Sequence, residues 1–226
     1  MTDPMTGFNV SAIELTTGAT DAFLGVVALA CITYLQQYRK ADGWKVGIWT
    51  WVLATLAAAA LLGAVVHGFE LSDGTRELLW RPLFFLLGLL VALFVVAASY
   101  DWLGERSAHR VLMAMMPIAV GFFAITQVLS GAFLVFVVYE AIAMLVALGI
   151  YLSLAVRRLL PGAGLMAFAI LLNIVAAGIQ ASGSVRFTLI WPFDHNGAFH
   201  LVQLIAVVVL MLGLRQSLQL VQRGKR

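Results

Sequence analysis

Long apolar stretches alternate with short polar segments along the chain, and their lengths predict helices that cross a membrane. A helix needs about 20 predominantly apolar residues to span the hydrocarbon core of a bilayer. Seven stretches satisfy this requirement. They cover residues 21–37, 46–68, 81–101, 111–129, 132–156, 162–182 and 198–220. We therefore predict an all-α fold, a seven-transmembrane helical bundle that forms a single domain over residues 1–226.

Prolines and small residues add detail to this prediction. Pro82 and Pro161 lie where a helix would begin, a position that tolerates the missing N–H. Pro117 lies within the fourth stretch and is expected to kink that helix rather than end it. The fourth and fifth stretches are separated only around residues 129–131, which predicts a tight hairpin. The second stretch is rich in Ala and Gly, which favours close packing against neighbouring helices.

Composition and charge confirm the class of protein and predict its orientation. The chain is 62% hydrophobic and 11% charged, whereas soluble domains are about 45–50% apolar and about 25% charged. Positive residues concentrate in cytoplasmic loops. Eleven of the fourteen Lys and Arg residues follow the first, third, fifth and seventh stretches. We therefore predict an N-terminus outside and a C-terminus in the cytoplasm. The scattered basic residues give no indication of nucleic-acid binding.

Ionisable side chains at membrane depth are costly, so each one is a functional candidate. His67 ends the second stretch, and His195 and His200 flank the start of the seventh, so all three are predicted near the outer face. Asp21 opens the first stretch from the same side. Glu140 lies near the midplane. Polarity is therefore concentrated toward the outer leaflet.

The three histidines are candidate metal ligands, because three imidazoles with an open fourth position form a catalytic zinc site. His195 and His200 are five residues apart, about 140° around a continuous helix. If Asn196 is the N-cap of the seventh helix, His195 lies in the preceding loop and can turn toward His200. The alternative is that the three rings lie at the interface without any ligand, where amphipathic rings are stable.

The run from His195 to Gln203, HNGAFHLVQ, resembles the histidine pair in the last helix of the seven-helix CREST hydrolase superfamily. This superfamily includes the alkaline ceramidases and the progestin and adipoQ receptors. The resemblance implies that His67 at the end of the second helix joins His195 and His200 in holding zinc around a hydrolytic water. The chain departs from the family in three places. Four residues rather than three separate the last two histidines, and Gly63 stands where the family has a serine. The start of the predicted third stretch reads LLWRP over residues 78–82 and lacks the family's aspartate, for which Glu77, Asp73 and Glu70 are the nearest substitutes.

These observations favour a metal-dependent membrane hydrolase that acts on a lipid amide or ester at the outer leaflet. Zinc, the predicted cofactor, would activate water and polarise the carbonyl. A nearby carboxylate, Glu77, Asp73 or Glu70, would relay the proton. The predicted partners are a membrane lipid, as substrate or ligand, and the lipid bilayer itself. The Ala- and Leu-rich composition suggests a bacterial inner membrane.

Two other functions remain open at this stage. In a non-enzymatic sensor, carrier or small-solute transporter, Glu140, Asn173 and Gln180 would line a solute path. In a membrane cytochrome, His67 and His200 would be the axial ligands of a haem. A retinal protein is disfavoured, because the Schiff base requires a lysine and the seventh stretch contains none.

Overall fold

The computed structural model describes residues 5–129 and 132–224, and seven long helices make up most of this part of the chain. Each is long and apolar enough to cross a membrane. The protein is therefore an all-α seven-helix membrane protein, as predicted. The helices are α1 Ala12–Leu35, α2 Gly43–Gly68, α3 Asp73–Leu103, α4 Glu105–Val128, α5 Ala132–Val156, α6 Ala163–Ser182 and α7 His195–Gly224. The remaining elements are a 3-10 turn over Gln36–Tyr38 and the short strands β1 Met5–Phe8, β2 Phe69–Leu71, β3 Phe187–Thr188 and β4 Pro192–Phe193.

Several helices begin earlier than the apolar pattern predicts. Helix α1 begins at Ala12, because the Ser11 hydroxyl caps it by accepting the N–H of Glu14. Helix α3 begins at Asp73, where Ser72 accepts the N–H of Thr75 in the same way. The prediction that Pro82 opens a helix was therefore wrong, since it lies inside α3.

The other proline and hairpin predictions have different outcomes. Pro161 lies in the loop just before α6, next to the N-cap Gly162. Helix α4 continues through Pro117 and ends at Val128. The predicted hairpin between α4 and α5 depends on Ser130 and Gly131, which lie outside the described residues.

Six of the helices form a closed ring, and α4 packs outside it. Neighbours around the ring follow the order α1, α2, α3, α5, α6, α7 and back to α1, while α4 contacts α3 and α5. Helices α1 and α2 approach closely because both carry small residues. A Cβ at Gly18 would lie 2.8 Å from the backbone nitrogen of Gly68. This agrees with the prediction that α2 packs tightly against its neighbours.

The two ends of the ring differ in their polar contacts. At the end where α2 finishes and α7 begins, hereafter the histidine end, β1 pairs antiparallel with β2, and β3 with β4. At the opposite end, Lys45 of α2 and Asp101 of α3 form a buried ion pair with an Nζ–Oδ1 distance of 2.5 Å. Tyr151 of α5 donates its hydroxyl to Asp101 Oδ2 at 2.8 Å. This network joins three helices of the ring.

Candidate functional site

A central cavity of about 470 Å³ lies inside the ring. All six ring helices contribute to its wall, and no lining residue comes from α4. The lining extends along α2 from His67 to Val52, which is about 22 Å at 1.5 Å per residue, and along α7 from His195 to Leu210. The cavity therefore reaches from the histidine end through most of a hydrocarbon core of about 30 Å.

His67, His195 and His200 all line this cavity, at the histidine end. Chain positions more than a hundred residues apart are brought together because α2 and α7 both contribute to the wall and both have their histidines at the same end. Asp21 of α1 lines the cavity beside them. The carboxylates of Glu14 and Asp194 contact the same histidines. The polar end of the cavity is thus formed by α1, α2 and α7, together with Gln180 near the end of α6, which donates to Asn196 Oδ1 at 3.3 Å.

His200 is buried and uses both ring nitrogens. Its Nδ1 lies 3.1 Å from the hydroxyl of Thr20. That hydroxyl also lies 2.8 Å from the Thr17 carbonyl, so it accepts from His200 when Nδ1 carries the proton and donates to Nδ1 when Nε2 carries it. The other nitrogen, Nε2, lies 3.1 Å from Asp21 Oδ1. A neutral imidazole carries one N–H, which serves Asp21 when it is on Nε2 and Thr20 when it is on Nδ1.

His67 is oriented by a carboxylate from another helix. Its Nδ1 lies 2.7 Å from Oε2 of Glu14 in the first turn of α1. With Nδ1 as the donor, the lone pair of a neutral ring lies on Nε2. Metal-ligating histidines are commonly held in this way, by donating their other N–H to a carboxylate. Trp80 packs edge-on against the ring, with centroids 6.1 Å apart.

His195 is the first residue of α7, so the prediction that Asn196 caps this helix was wrong. Asp194 is the cap, because its Oδ1 accepts the N–H groups of Asn196 and Gly197 at 3.0 Å each. The same Oδ1 accepts the Thr17 hydroxyl, which joins α7 to α1. The Nδ1 atom of His195 is buried and has no hydrogen-bond partner among the described residues.

The chemistry of these donors fits a zinc site. His67 Nε2 and His195 Nδ1 are available, and the lone pair of His200 lies on Nε2 when its proton is on Nδ1. Within the described ranges, however, no three His, Cys, Asp or Glu side chains already form a metal-binding group.

The carboxylates predicted to relay a proton lie outside the cavity. Glu70 is in β2, Asp73 is exposed in the first turn of α3, and Glu77 pairs with Arg81 on an exposed helix face. None of the three is among the lining residues. Their catalytic role stays a prediction. The carboxylate that lines the cavity next to a histidine is Asp21.

A second polar layer lies deeper in the cavity. Glu140 of α5, Asn173 of α6 and Gln203 of α7 all line it. Each is eight or nine residues, about 12–14 Å of helix, from the histidine end of its own helix. The Oε2 atom of Glu140 is buried without a hydrogen-bond partner among the residues that the structure describes. Beyond this layer the wall is apolar and includes Val52, Leu53, Phe94, Met144 and Leu210.

The polar residues of α1 are the part of the site that sequence reasoning missed. Glu14, Thr17 and Thr20 precede the predicted first span, and they contact His67, Asp194 and His200. One signal was available. Ser11 followed by Glu14 matches the S-x-x-E pattern that marks a helix N-terminus, and it would have extended the helix to include all three.

Comparisons with known proteins give a family without an assigned activity. No curated protein and no solved structure matches the chain significantly. One family model matches residues 16–219, which include His67, His195 and His200, five of the seven helices in full and most of α1 and α7. The chain therefore belongs to the family described as "Family of unknown function (DUF6962)".

Proposed function

We propose that this protein is a zinc-dependent hydrolase of membrane lipids, with its active site at the histidine end of the central cavity. The observation that carries the proposal is that three imidazoles and Asp21 line the polar end of one long apolar cavity. Such a cavity suits an amphipathic molecule, because apolar walls with a few convergent polar groups are typical of ligand sites. The lipid amide or ester would place its polar group at the histidines and its chain along the apolar wall.

In this proposal His67, His195 and His200 hold the metal. Zinc in such a site polarises a carbonyl and activates water at neutral pH. Glu14 would hold the proton of His67 on Nδ1, and Thr20, accepting from Nδ1–H, would do the same for His200. Asp21, 3.1 Å from His200, is placed to accept and return the proton of the attacking water. The resemblance to the CREST hydrolases supports this assignment, since it selects the same three histidines.

The proposal is tested by metal content. Protein purified in detergent should contain about one zinc per chain, and His67→Ala, His195→Ala or His200→Ala should each lower it severalfold. His109→Ala is the matched control, because His109 is exposed at the opposite end of the bundle. Fatty-acid release from a membrane lipid extract should follow the zinc content and stop with a chelator. Equal zinc content in wild type and His200→Ala would refute the assignment.

A second candidate is a metal-free sensor or carrier for a lipid-like molecule or a small solute. One observation favours it: His67 and His200 already have the carboxylate partners Glu14 and Asp21 within the chain. Ligand binding or uptake would then depend on Glu140 and would be unaffected by chelators. Under either function we propose a bacterial inner membrane as the location, on the basis of composition alone.

A further inference from the structure

The unpaired carboxylate oxygen of Glu140 lies in the middle layer of the cavity, away from the histidines. Buried polar groups in proteins almost always have a hydrogen-bond partner, so an exception calls for an explanation. Glu140 Oε2 has none among the described residues. The side chain also lines the cavity, so a molecule bound there can reach it.

Two amides share this layer with Glu140. Asn173 and Gln203 lie on the two helices that follow α5 around the ring, at nearly the same distance from the histidine end. Amide side chains both donate and accept hydrogen bonds, whereas a carboxylate oxygen only accepts. The layer therefore offers a strong acceptor flanked by two adaptable groups. On the side away from the histidines, this layer borders the aliphatic and aromatic residues of the cavity wall.

We propose that Glu140, Asn173 and Gln203 form a binding subsite for a hydrogen-bond donor, a hydroxyl or an amine, on the lipid-like ligand. The donor gives its proton to Glu140 Oε2, and the amides of Asn173 and Gln203 contact the remaining polar atoms of the same group. This inference rests on the proposed function only in so far as the cavity binds a lipid-like molecule. It does not depend on a metal.

The depth of the cavity sets the length of chain that the subsite accommodates. From Gln203 to Leu210, the deepest lining residue of α7, the helix rises about 10 Å. An extended hydrocarbon chain advances about 1.25 Å per carbon for bonds of about 1.5 Å. A chain of about eight carbons therefore fills the apolar wall below Glu140 when its donor group is at the level of this layer.

The test compares octan-1-ol with octyl methyl ether, which keeps the oxygen and the chain but lacks the donor. Apparent affinities are measured from ligand-dependent shifts of the thermal unfolding midpoint of the full chain in lipid nanodiscs. Wild type should bind the alcohol at least about tenfold more tightly than the ether, as expected for a hydrogen bond to a buried carboxylate. Octylamine is the third probe, and tighter binding than the alcohol would identify an ammonium as the preferred donor.

Variants test whether Glu140 causes the preference for the alcohol over the ether. Glu140→Leu should reduce the alcohol-to-ether ratio to about one, while Glu140→Gln, which keeps an acceptor oxygen, should retain part of it. Met144→Leu is the matched control one turn deeper on the same helix and cavity wall, and it should leave the ratio unchanged.

Equal binding of alcohol and ether to wild type, or an unchanged alcohol-to-ether ratio in Glu140→Leu, would overturn the subsite. If neither compound binds wild type, the lipid-binding role of the cavity fails as well. If the histidine variants lose zinc but keep the alcohol-to-ether affinity ratio of wild type, the subsite is supported.

Discussion

The contact between Gly63 and Asp21 shows how one missing side chain shapes the site. A Cβ at position 63 would lie only 2.7 Å from Asp21 Oδ2, so the carboxylate occupies the space that any larger residue on α2 would need. The carboxylate of Asp21 on α1 takes up this space and contacts His200. Gly63 is therefore a determinant of the position of Asp21.

Substituting Gly63 by Ala should displace Asp21 and lower stability. The added methyl group overpacks the contact, which costs about 1–3 kcal/mol in the free energy of unfolding. Gly47→Ala on the same helix is the matched control, because a Cβ there meets nothing within 4 Å, and Ala is favoured over Gly in a helix by up to about 1 kcal/mol. Thermal unfolding in detergent checks both. If the Gly63→Ala protein is as stable as Gly47→Ala, a Cβ at position 63 does not crowd the Asp21 carboxylate.

In the proposed zinc site Glu14 acts through His67, so its effect should appear in metal affinity rather than in folding. Removing a carboxylate that orients a ligating histidine typically weakens metal binding by about 10–100-fold. Glu14→Gln should therefore raise the dissociation constant for zinc by this factor, measured by titration with a competing chelator. Glu105→Gln removes the carboxylate near His109 at the opposite end, 3.6 Å away, and should leave the constant unchanged. Equal constants for the two variants would show that Glu14 does not support a metal ligand.

At the scale of helices, the number of elements could be predicted from the sequence, but several of their beginnings could not. Hydropathy detects residues that face lipid or a packed core, and it treats polar residues as ends. In α1 the polar Glu14, Thr17 and Thr20 face other helices, where histidines and a carboxylate satisfy them. Helix α3 likewise extends nine residues before Pro82, because Ser72 provides the cap. A criterion based on the length of apolar stretches cannot detect helix ends that are set by tertiary contacts and capping residues.

The Lys45–Asp101 pair should contribute strongly to the association of α2, α3 and α5. Removing one member of a buried ion pair leaves the other uncompensated and costs about 3–5 kcal/mol. Lys45→Met should therefore destabilise the protein by about this amount, and the double variant Lys45→Met, Asp101→Leu should recover most of the loss. The exposed Glu77–Arg81 pair is the control, since Arg81→Met should cost only about 0–1 kcal/mol. Unfolding in a denaturing detergent measures each difference. A small effect of Lys45→Met would show that the pair is not a structural bond between the helices.

For the whole molecule, the sequence predicted that three distant histidines would lie at one end of the bundle, and the structure brings them to one cavity. The prediction succeeded because alternate helix ends of a seven-span protein must lie at the same end. The carboxylates near these rings were harder to predict. Glu70, Asp73 and Glu77 are close to His67 in sequence but lie outside the cavity. Asp21 lies beside His200 only because α1 closes the ring against α7.

The sidedness of the cavity follows from the charge distribution and can be measured directly. In the sequence, eleven of the fourteen Lys and Arg residues belong to the loops after the first, third and fifth apolar stretches or to the C-terminal part of the chain from Arg215 onward, and positive residues stay in the cytoplasm. The histidine end should therefore face outward.

Cys31 is the only cysteine in the sequence and is buried, so cysteines introduced elsewhere report accessibility with little background labelling. Ser184→Cys, exposed at the histidine end, should react with a membrane-impermeant maleimide in intact cells. Glu105→Cys, exposed at the other end, should react only after the membrane is permeabilised. The reverse pattern would place the histidine end in the cytoplasm, and a lipid substrate would then come from the inner leaflet.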